Sequence, residues 1–425
     1  MTTANPEDAA AAGPLARVRS GLQARPSSRW LTAVREALDR PLTAYYLLLG
    51  ASALLLTIGL VMVLSSSSVY SFREYGDSYY TIKRQVVWVV LGIPAAWVAS
   101  RLPLRVIRGF AYPAYVVSLA LLFATVFGGR EVNGNQNWLV LGPIQIQPSE
   151  IAKLCLVLWA GHIYANKERR LDSLHQMAVP VVPGLLLATG LVVAGDDLGT
   201  ALVLLAILVG LLWVVGFPGR VFGLGFSAVG VAVFGFATLD QERVSRLTNF
   251  VDPFQDFEGA GWQAGHGLYA LSSGGWFGEG IGASQQKWGS LPEAHTDFIF
   301  AVLGEELGLV GTLLVVGLFL TIAYAAVRVA RQTEDPFVRY VTFGIVVWLL
   351  GQMMINVSMV LALGPVIGIP LPLVSYGGSA LLPSLCALGL VIGFARREPE
   401  AARALAARKK SRSAGLSAGV PGRRA

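Results

Sequence analysis

Runs of about 20 apolar residues recur along this chain, and each is long enough to cross a bilayer as a helix. Ten such runs are read, at about 42–64, 84–101, 109–128, 149–165, 176–194, 197–217, 221–239, 298–327, 338–361 and 374–395. Charge is scarce: 14% of the residues are charged and 54% are hydrophobic, where a soluble chain carries roughly a quarter charged. A segment inside lipid must satisfy its own backbone hydrogen bonds, which a helix does alone. The sequence therefore predicts an all-α polytopic membrane protein with about ten transmembrane helices.

The start, MTTANPEDAAAAGPLARVRSG, has no apolar core after its charges. No cleaved signal peptide is visible, and the first span is expected to act as the insertion signal. Basic residues cluster in alternate short loops: Arg35 and Arg40 before the first span, Arg101, Arg105 and Arg108 after the second, Lys167, Arg169 and Arg170 after the fourth. Arg220, Arg328, Arg331, Arg339, Arg396 and Arg397 continue the alternation. By the positive-inside rule both termini are expected in the cytoplasm. The expected division is a cytoplasmic tail 1–41, a membrane domain 42–395 and a basic tail 396–425 that meets anionic lipid. The net charge of +7 follows from this asymmetry, and nucleic acid need not be invoked. Cys155 and Cys386 both fall within spans and read as packing residues, not as a disulfide or metal site.

The longest connection, about 240–297, is expected to face outward and carries eight acidic against three basic residues. Connections this long are functional or disordered. Its stretch GWQAGHGLYALSSGGWFG suits a short interfacial or re-entrant helix anchored by Trp262, Tyr269 and Trp276. GEGIG at 278–282 lacks the strand and spacing of a phosphate loop and reads as a flexible hinge. Arg243, Arg246 and Lys287 suit either a phosphate group or salt bridges to Asp252, Asp256 or Glu258.

Ionisable groups at membrane depth are the main functional signal, because they face a bundle interior or a wet cavity. In QPSEIAKLCLVLW, Ser149 is placed to cap a helix whose first turn holds Glu150, with Lys153 on the same face. That pair reads either as structural or as part of a site. In AGDDLGT, Asp196 and Asp197 sit in a tight turn where Asp197 and Thr200 can cap the sixth span. Asp297 stands at the entrance of the eighth span, preceded by His295 and Thr296 and followed by Glu305 and Glu306. At helical spacing Glu305 lies about 80° round from Asp297 and Glu306 nearly opposite, so at least one glutamate should pair with a neighbouring helix. SYGGS puts Gly377 and Gly378 between Ser375 and Ser379, which means irregular backbone lining a cavity or close helix packing. On this topology Glu150, Lys153, Asp197, Asp297 and SYGGS share the outer half of the bilayer, as an outward-open polar cavity would require.

In order and spacing, PSEIAK, DLGT, LPEAHTDFIFAVLGEELG and SYGGSALL resemble the SEDS family of bacterial cell-wall glycosyltransferases over about 42–395, its division branch more than its elongation branch. The resemblance implies ten helices in the cytoplasmic membrane of a bacterium, at the division septum. It implies polymerisation of lipid II, an undecaprenyl-pyrophosphate disaccharide pentapeptide, alongside a class B penicillin-binding protein and other division proteins. It carries the family's essential aspartate onto Asp297, a polar pair onto Glu150 and Lys153, and loop arginines onto Arg243 and Arg246. Substrate contacts are expected further from Ser149, Asp197, His295, Thr296, Ser375, Gly377 and Gly378. Asn137 stands where many relatives have a base, and Ala380 where a second serine is frequent. A divalent cation, Mg or Mn, bridging Asp297 or Glu150 to phosphate is compatible with the residues and not required by them. Two other functions use the same charges: a flippase for lipid-linked precursors, whose charges should run the full depth of the bundle, and a non-catalytic division scaffold.

Overall fold

In the computed structural model the described residues are 36, 40–132, 135–142, 144–220, 222–223, 253–254, 257, 259 and 261–407. The first helix, α1, runs Thr43–Tyr75 and is 33 residues long. It outlasts its apolar run because serines that follow face inward and several are bonded there. Ser66 Oγ donates to Met62 O at 2.7 Å, Ser71 and Thr81 share a 2.6 Å bond, and Ser65 reaches Glu306 at 2.5 Å. Gly76, at φ 72°, ends it in the left-handed conformation that glycine tolerates.

Helix α2 (Tyr80–Arg101) returns, and a short α3 (Leu104–Gly109) leads into α4 (Ala111–Gly128). A three-stranded antiparallel sheet then intervenes, β1 (Arg130–Val132), β2 (Asn135–Leu141) and β3 (Ile144–Ile146). Arg130 pairs with Trp138 and Leu139 with Ile146. The all-helical expectation did not include this sheet, although Asn133-Gly134 between two β-prone stretches is a hairpin signal. The chain continues as α5 (Pro148–Lys167), α6 (Leu174–Ala178), α7 (Val181–Ala194) and α8 (Leu198–Val214). Beyond the long connection come α9 (Trp262–Ser273), α10 (Ile299–Gln332), α11 (Pro336–Val360) and α12 (Gly378–Arg397).

Helices stand at nine of the ten expected positions; of the span expected at 221–239 only residues 222–223 are described. Seven described segments are long and apolar enough to cross a membrane, and α8 is apolar but shorter. Helix α9 bears out the short helix expected in the long connection. Cys155 and Cys386 are free thiols.

Backbones meet closely where α12 crosses α2. A Cβ on Gly389 would lie 2.3 Å from Ala96 O, and one on Gly393 2.5 Å from Ser100 O. Two glycines four apart let the backbones touch, which is how helices gain dispersion contact in lipid. The end of the bundle away from Asp297 is clamped by polar contacts. Arg108 pairs with Asp335, Arg339 Nη1 meets Glu168 Oε1 at 3.0 Å, and Arg397 donates to Leu102 O.

Candidate functional site

Asp297 sits on the loop that enters α10, and two hydrogen-bonded seams fix that loop to the one between α11 and α12. Asn356 Nδ2 donates to Asp297 O and to Ile369 O, both at 2.7 Å. Ser375 Oγ donates to Thr296 O at 2.6 Å and accepts from Leu371 N at 2.7 Å, while Tyr376 N donates to His295 O at 3.0 Å. Thr296 Oγ1 bonds back to the Glu293 carboxylate at 2.6 Å. The backbone around Asp297 is therefore held from several directions, but its carboxylate accepts no hydrogen bond from any described residue. Gly368 leaves room beside it: a Cβ there would stand 3.3 Å from Asp297 Oδ2. Burial, with the charges of Glu293 and Asp197 adding to it, pushes the Asp297 carboxyl up to about 7. Burial also lowers His295, whose ring lies against Tyr70.

Asp197, by contrast, is saturated. Its Oδ1 accepts from Thr200 N at 2.9 Å and its Oδ2 from Thr200 Oγ1 at 2.8 Å, which makes it the N-cap of α8. The same Oδ2 receives Asn137 Nδ2 at 3.0 Å, Gln147 Nε2 at 3.1 Å and Ser149 Oγ at 3.4 Å. Ser149 does not cap α5 as its sequence position suggested. The cap position is Gln147 with Pro148 at the first helical residue, and the Ser149 hydroxyl is spent on Asp197. Asn137, where a base is frequent, is thus a partner of Asp197.

Glu150 and Lys153 are 2% and 1% exposed and bond to each other at 2.7 Å. Lys153 Nζ also donates to Gln352 Oε1 at 2.8 Å and lies 5.5 Å from the centre of the Trp348 ring. Gln352 in turn bonds to Pro370 O at 2.9 Å. The pair braces α5 against α11 and, through Pro370, against the loop beside Asp297. Lys153 thus spends two of its ammonium protons inside the bundle, while Glu150 Oε2 is buried without a hydrogen-bond partner among the described residues.

The two glutamates of α10 take a different part. At Gly308 (φ 67°, ψ −165°) the helix is broken, and the segment 275–280 fills the break. Leu309 N donates to Gly275 O and Val310 N to Trp276 O, while Glu279 N and Gly280 N donate to the carbonyls of Glu305 and Glu306. Glu305 accepts from Ser284 Oγ at 2.5 Å and Gln285 N at 2.8 Å. Glu306 accepts from Ser65 Oγ and from Lys287 Nζ, the latter at 2.9 Å. Both glutamates therefore hold the strap, and GEGIG is a bonded part of it instead of a free hinge. Lys287, 6% exposed, is consumed by Glu306, Ser65 and Gly282 O.

SYGGS divides between the two readings made of it. Gly378 is a packing glycine, since a Cβ would lie 2.1 Å from the Trp88 ring. Gly377 is irregular backbone, at φ 153° and ψ 102°, with its N–H on Gln85 Oε1 at 3.2 Å. Arg243 and Arg246 lie outside the described residues. The structure thus gathers His295, Thr296, Asp297 and Ser375 on laced loops, and sets Ser149, Glu150, Lys153 and Asp197 beside them as a brace. A cavity of about 590 Å³ opens elsewhere, between α1 and the strap, lined by Val61, Leu64, Phe72, Arg73 and Trp288 among others. A void of about 10 Å³ lies beside Asp197.

Among the described residues no three His, Cys, Asp or Glu groups are placed to hold a metal ion. Asp197 has its oxygens committed and Glu150 Oε1 is paired with Lys153, and Asp297, whose carboxylate is open, is the residue that would hold a divalent cation accompanying the substrate's phosphates. Asn356, Gln352 and Gln85 were missed in the sequence because they are neutral. Gln352 and Asn356, four apart in an apolar span, were nonetheless a legible inward-facing polar stripe.

The chain matches the profile of the FtsW/RodA/SpoVE family, described as a cell cycle protein, over residues 45–399. It is 38% identical over 372 residues to the probable peptidoglycan glycosyltransferase FtsW of Mycobacterium tuberculosis, covering 87% of this chain and 71% of that one. To the protein of the same name from Trichlorobacter lovleyi it is 35% identical, covering 84% and 96%. Among solved structures it resembles a chain of a peptidoglycan synthase complex that coordinates polymerization and crosslinking, with a TM-score of 0.69, 29% identity and 83% and 97% coverage. It also resembles the rod shape-determining protein RodA of Thermus thermophilus, with a TM-score of 0.62, 29% identity and the same coverages.

Proposed function

Because the chain belongs to the FtsW/RodA/SpoVE family, we propose that this multi-pass membrane protein is a peptidoglycan glycosyltransferase that polymerises lipid II, with Asp297 as general base. The observation that carries the residue assignment is the Asp297 carboxylate itself: fixed backbone, no hydrogen bond from described residues, and a proton affinity near neutrality. A base is most effective when its pKa lies near the working pH, and proton transfer of this kind is worth about 10²–10⁴-fold.

In the reaction a sugar hydroxyl attacks the anomeric carbon of a diphosphate-linked donor. The new C–O bond forms as the bond to the diphosphate oxygen breaks, the hydroxyl proton passes to Asp297, and the lipid diphosphate leaves with the electron pair. A single displacement inverts the anomeric centre. The leaving group departs as an anion, so it needs cations more than it needs an acid. Lys153 and Lys287 are both committed to buried partners, and the family resemblance assigns Arg243 and Arg246 to the diphosphate. No step is routed through a divalent cation. The neighbouring loops supply position: His295 and Thr296 on one side of the seam, Ser375 and Gly377 on the other.

The reading places Asp297 on the outer face of a bacterial cytoplasmic membrane, at the septum, with both termini inside and a class B penicillin-binding protein as partner. Division proteins beyond that partner would meet the tails. The likeness to a synthase-complex chain and to relatives named FtsW supports the partner and the division role.

The test is polymerisation of purified lipid II by this chain with its penicillin-binding partner, the partner's catalytic serine blocked. Wild type should build glycan and Asp297→Asn should not, with the complex intact. A fully active Asp297→Asn removes the base assignment. A wild type without activity returns the question to the flippase and scaffold readings.

A further inference from the structure

A row of aromatic rings leads from the Asp297 loop to the hairpin between α1 and α2. Tyr376 and His295 are 5.7 Å apart, His295 stacks on Tyr70 at 4.9 Å and 24°, and Tyr70 meets Tyr75 edge-on at 6.4 Å. Tyr75 then stacks on Tyr80 at 4.0 Å and 23°, and the Arg84 guanidinium lies 5.9 Å from the Tyr80 ring. Tyr70 and Tyr75 are 44% and 48% exposed, although each is part of the row. Glu74 and Glu293 lie near enough to Tyr70 to act on it electrostatically.

Tyrosines at a helix end commonly anchor a protein at the membrane interface. Tyr79, 59% exposed and outside the row, suits that role. The other tyrosines pack on one another and on His295, whose backbone is pinned to Tyr376 by a 3.0 Å bond. They form a continuous surface that begins two residues from Asp297. Interfacial anchoring alone gives no reason for that continuity.

One face of a pyranose ring is made of C–H bonds with partial positive charge, which suits the electron-rich face of an aromatic ring. Its hydroxyl and amide edges call for charged hydrogen-bonding groups alongside, as Glu74, Glu293 and Arg84 are. We infer that Tyr70, Tyr75 and Tyr80, together with His295, form a stacking subsite for the glycan strand that reacts at Asp297. The inference rests on the glycosyltransferase reading above and adds a place where several sugar rings lie along the protein. These tyrosines are positioning residues, since they stand away from the reacting atoms.

The experiment uses the full chain with its penicillin-binding partner in lipid nanodiscs and, as probe, a soluble tetrasaccharide of alternating N-acetylglucosamine and N-acetylmuramic acid without lipid or diphosphate. Binding is measured for wild type, Tyr70→Leu/Tyr75→Leu, Tyr70→Phe/Tyr75→Phe and Asp297→Asn, with thermal unfolding of each as the folding control. The leucine pair keeps apolar bulk and loses the rings, so affinity should fall about tenfold or more. The phenylalanine pair should bind like wild type, and the leucine pair should make shorter strands from lipid II. Equal binding by the leucine pair and wild type overturns the subsite, as does absence of binding to wild type. An active Asp297→Asn with weakened binding by the leucine pair would instead remove the base assignment and leave the subsite standing.

Discussion

The carboxylate of Asp297 differs from every other acidic group near it in being left without a hydrogen bond from described residues. Asp197 caps a helix, Glu305 and Glu306 hold the strap, and Glu150 is paired with Lys153. That difference has two measurable consequences. Polymerisation should rise with pH through about 7 as Asp297 ionises, and the rise should be lost with the activity in Asp297→Asn. A pH–rate profile of kcat/KM that is flat across this range would contradict the assignment. Stability should move the other way. The folded value of about 7 lies above the ordinary 3.8, so below 3.8 both states hold the proton and no penalty exists. Between those values the unfolded chain gives up its proton first, so folded stability falls as pH rises and stays lower above about 7. Asp297→Asn lacks this penalty: its Tm should match wild type at acid pH and exceed it by several degrees at alkaline pH. A mutant less stable than wild type at alkaline pH would mean that the carboxylate is held by a cation.

The broken helix α10 shows how an element can carry groups that lipid would otherwise exclude. Breaking the ladder at Gly308 frees carbonyls and N–H groups, and the strap supplies partners for the carbonyls of Glu305 and Glu306 and for the N–H groups of Leu309 and Val310. The conformation is one that only glycine adopts readily, and a Cβ there would stand 2.4 Å from Gly278 N. Gly308→Ala should therefore loosen the strap, seen as faster proteolysis at 275–285. Lys287 and Glu306 are the charged part of the same joint, both buried. Lys287→Met strands the glutamate and should destabilise by about 3–5 kcal/mol, because a buried charge is then unpaired. The double change Lys287→Met/Glu306→Gln should recover most of that loss in the same thermal unfolding assay. If the double variant is as unstable as the single one, the pair is not what holds the strap. The sequence displayed Glu305, Glu306 and Gly308 as an anomaly but could not reveal their partners. Ser65 and Lys287 are 241 and 19 residues away from Glu306, and only the fold brings them together.

At the scale of the molecule, the spans were legible because lipid demands about 20 apolar residues for each crossing. What stayed hidden was whatever depends on contact between distant segments: the sheet over Asp197, the seam through Asn356, and the burial of Lys153 and Lys287. A lysine in a polar loop and a lysine in a closed ion pair read alike until the neighbouring helix is known. The loop charges carry the remaining large-scale prediction, which is orientation. Arg101, Lys167, Arg331 and Arg397 all fall at helix ends on the side clamped by Arg108–Asp335 and Arg339–Glu168. Basic residues gathered at one end are retained in the cytoplasm, so the strap and Asp297 should face out. Cysteine in place of Trp276, which is 70% exposed on the strap, should react with a membrane-impermeant maleimide on intact cells. Cysteine in place of Glu334, between α10 and α11, should react only after permeabilisation. Both belong in a Cys155→Ala/Cys386→Ala background, which removes the native thiols. The reverse pattern would put Asp297 on the cytoplasmic side, where a polymerase of exported precursors has no substrate, and would leave a role in moving those precursors as the reading consistent with the fold.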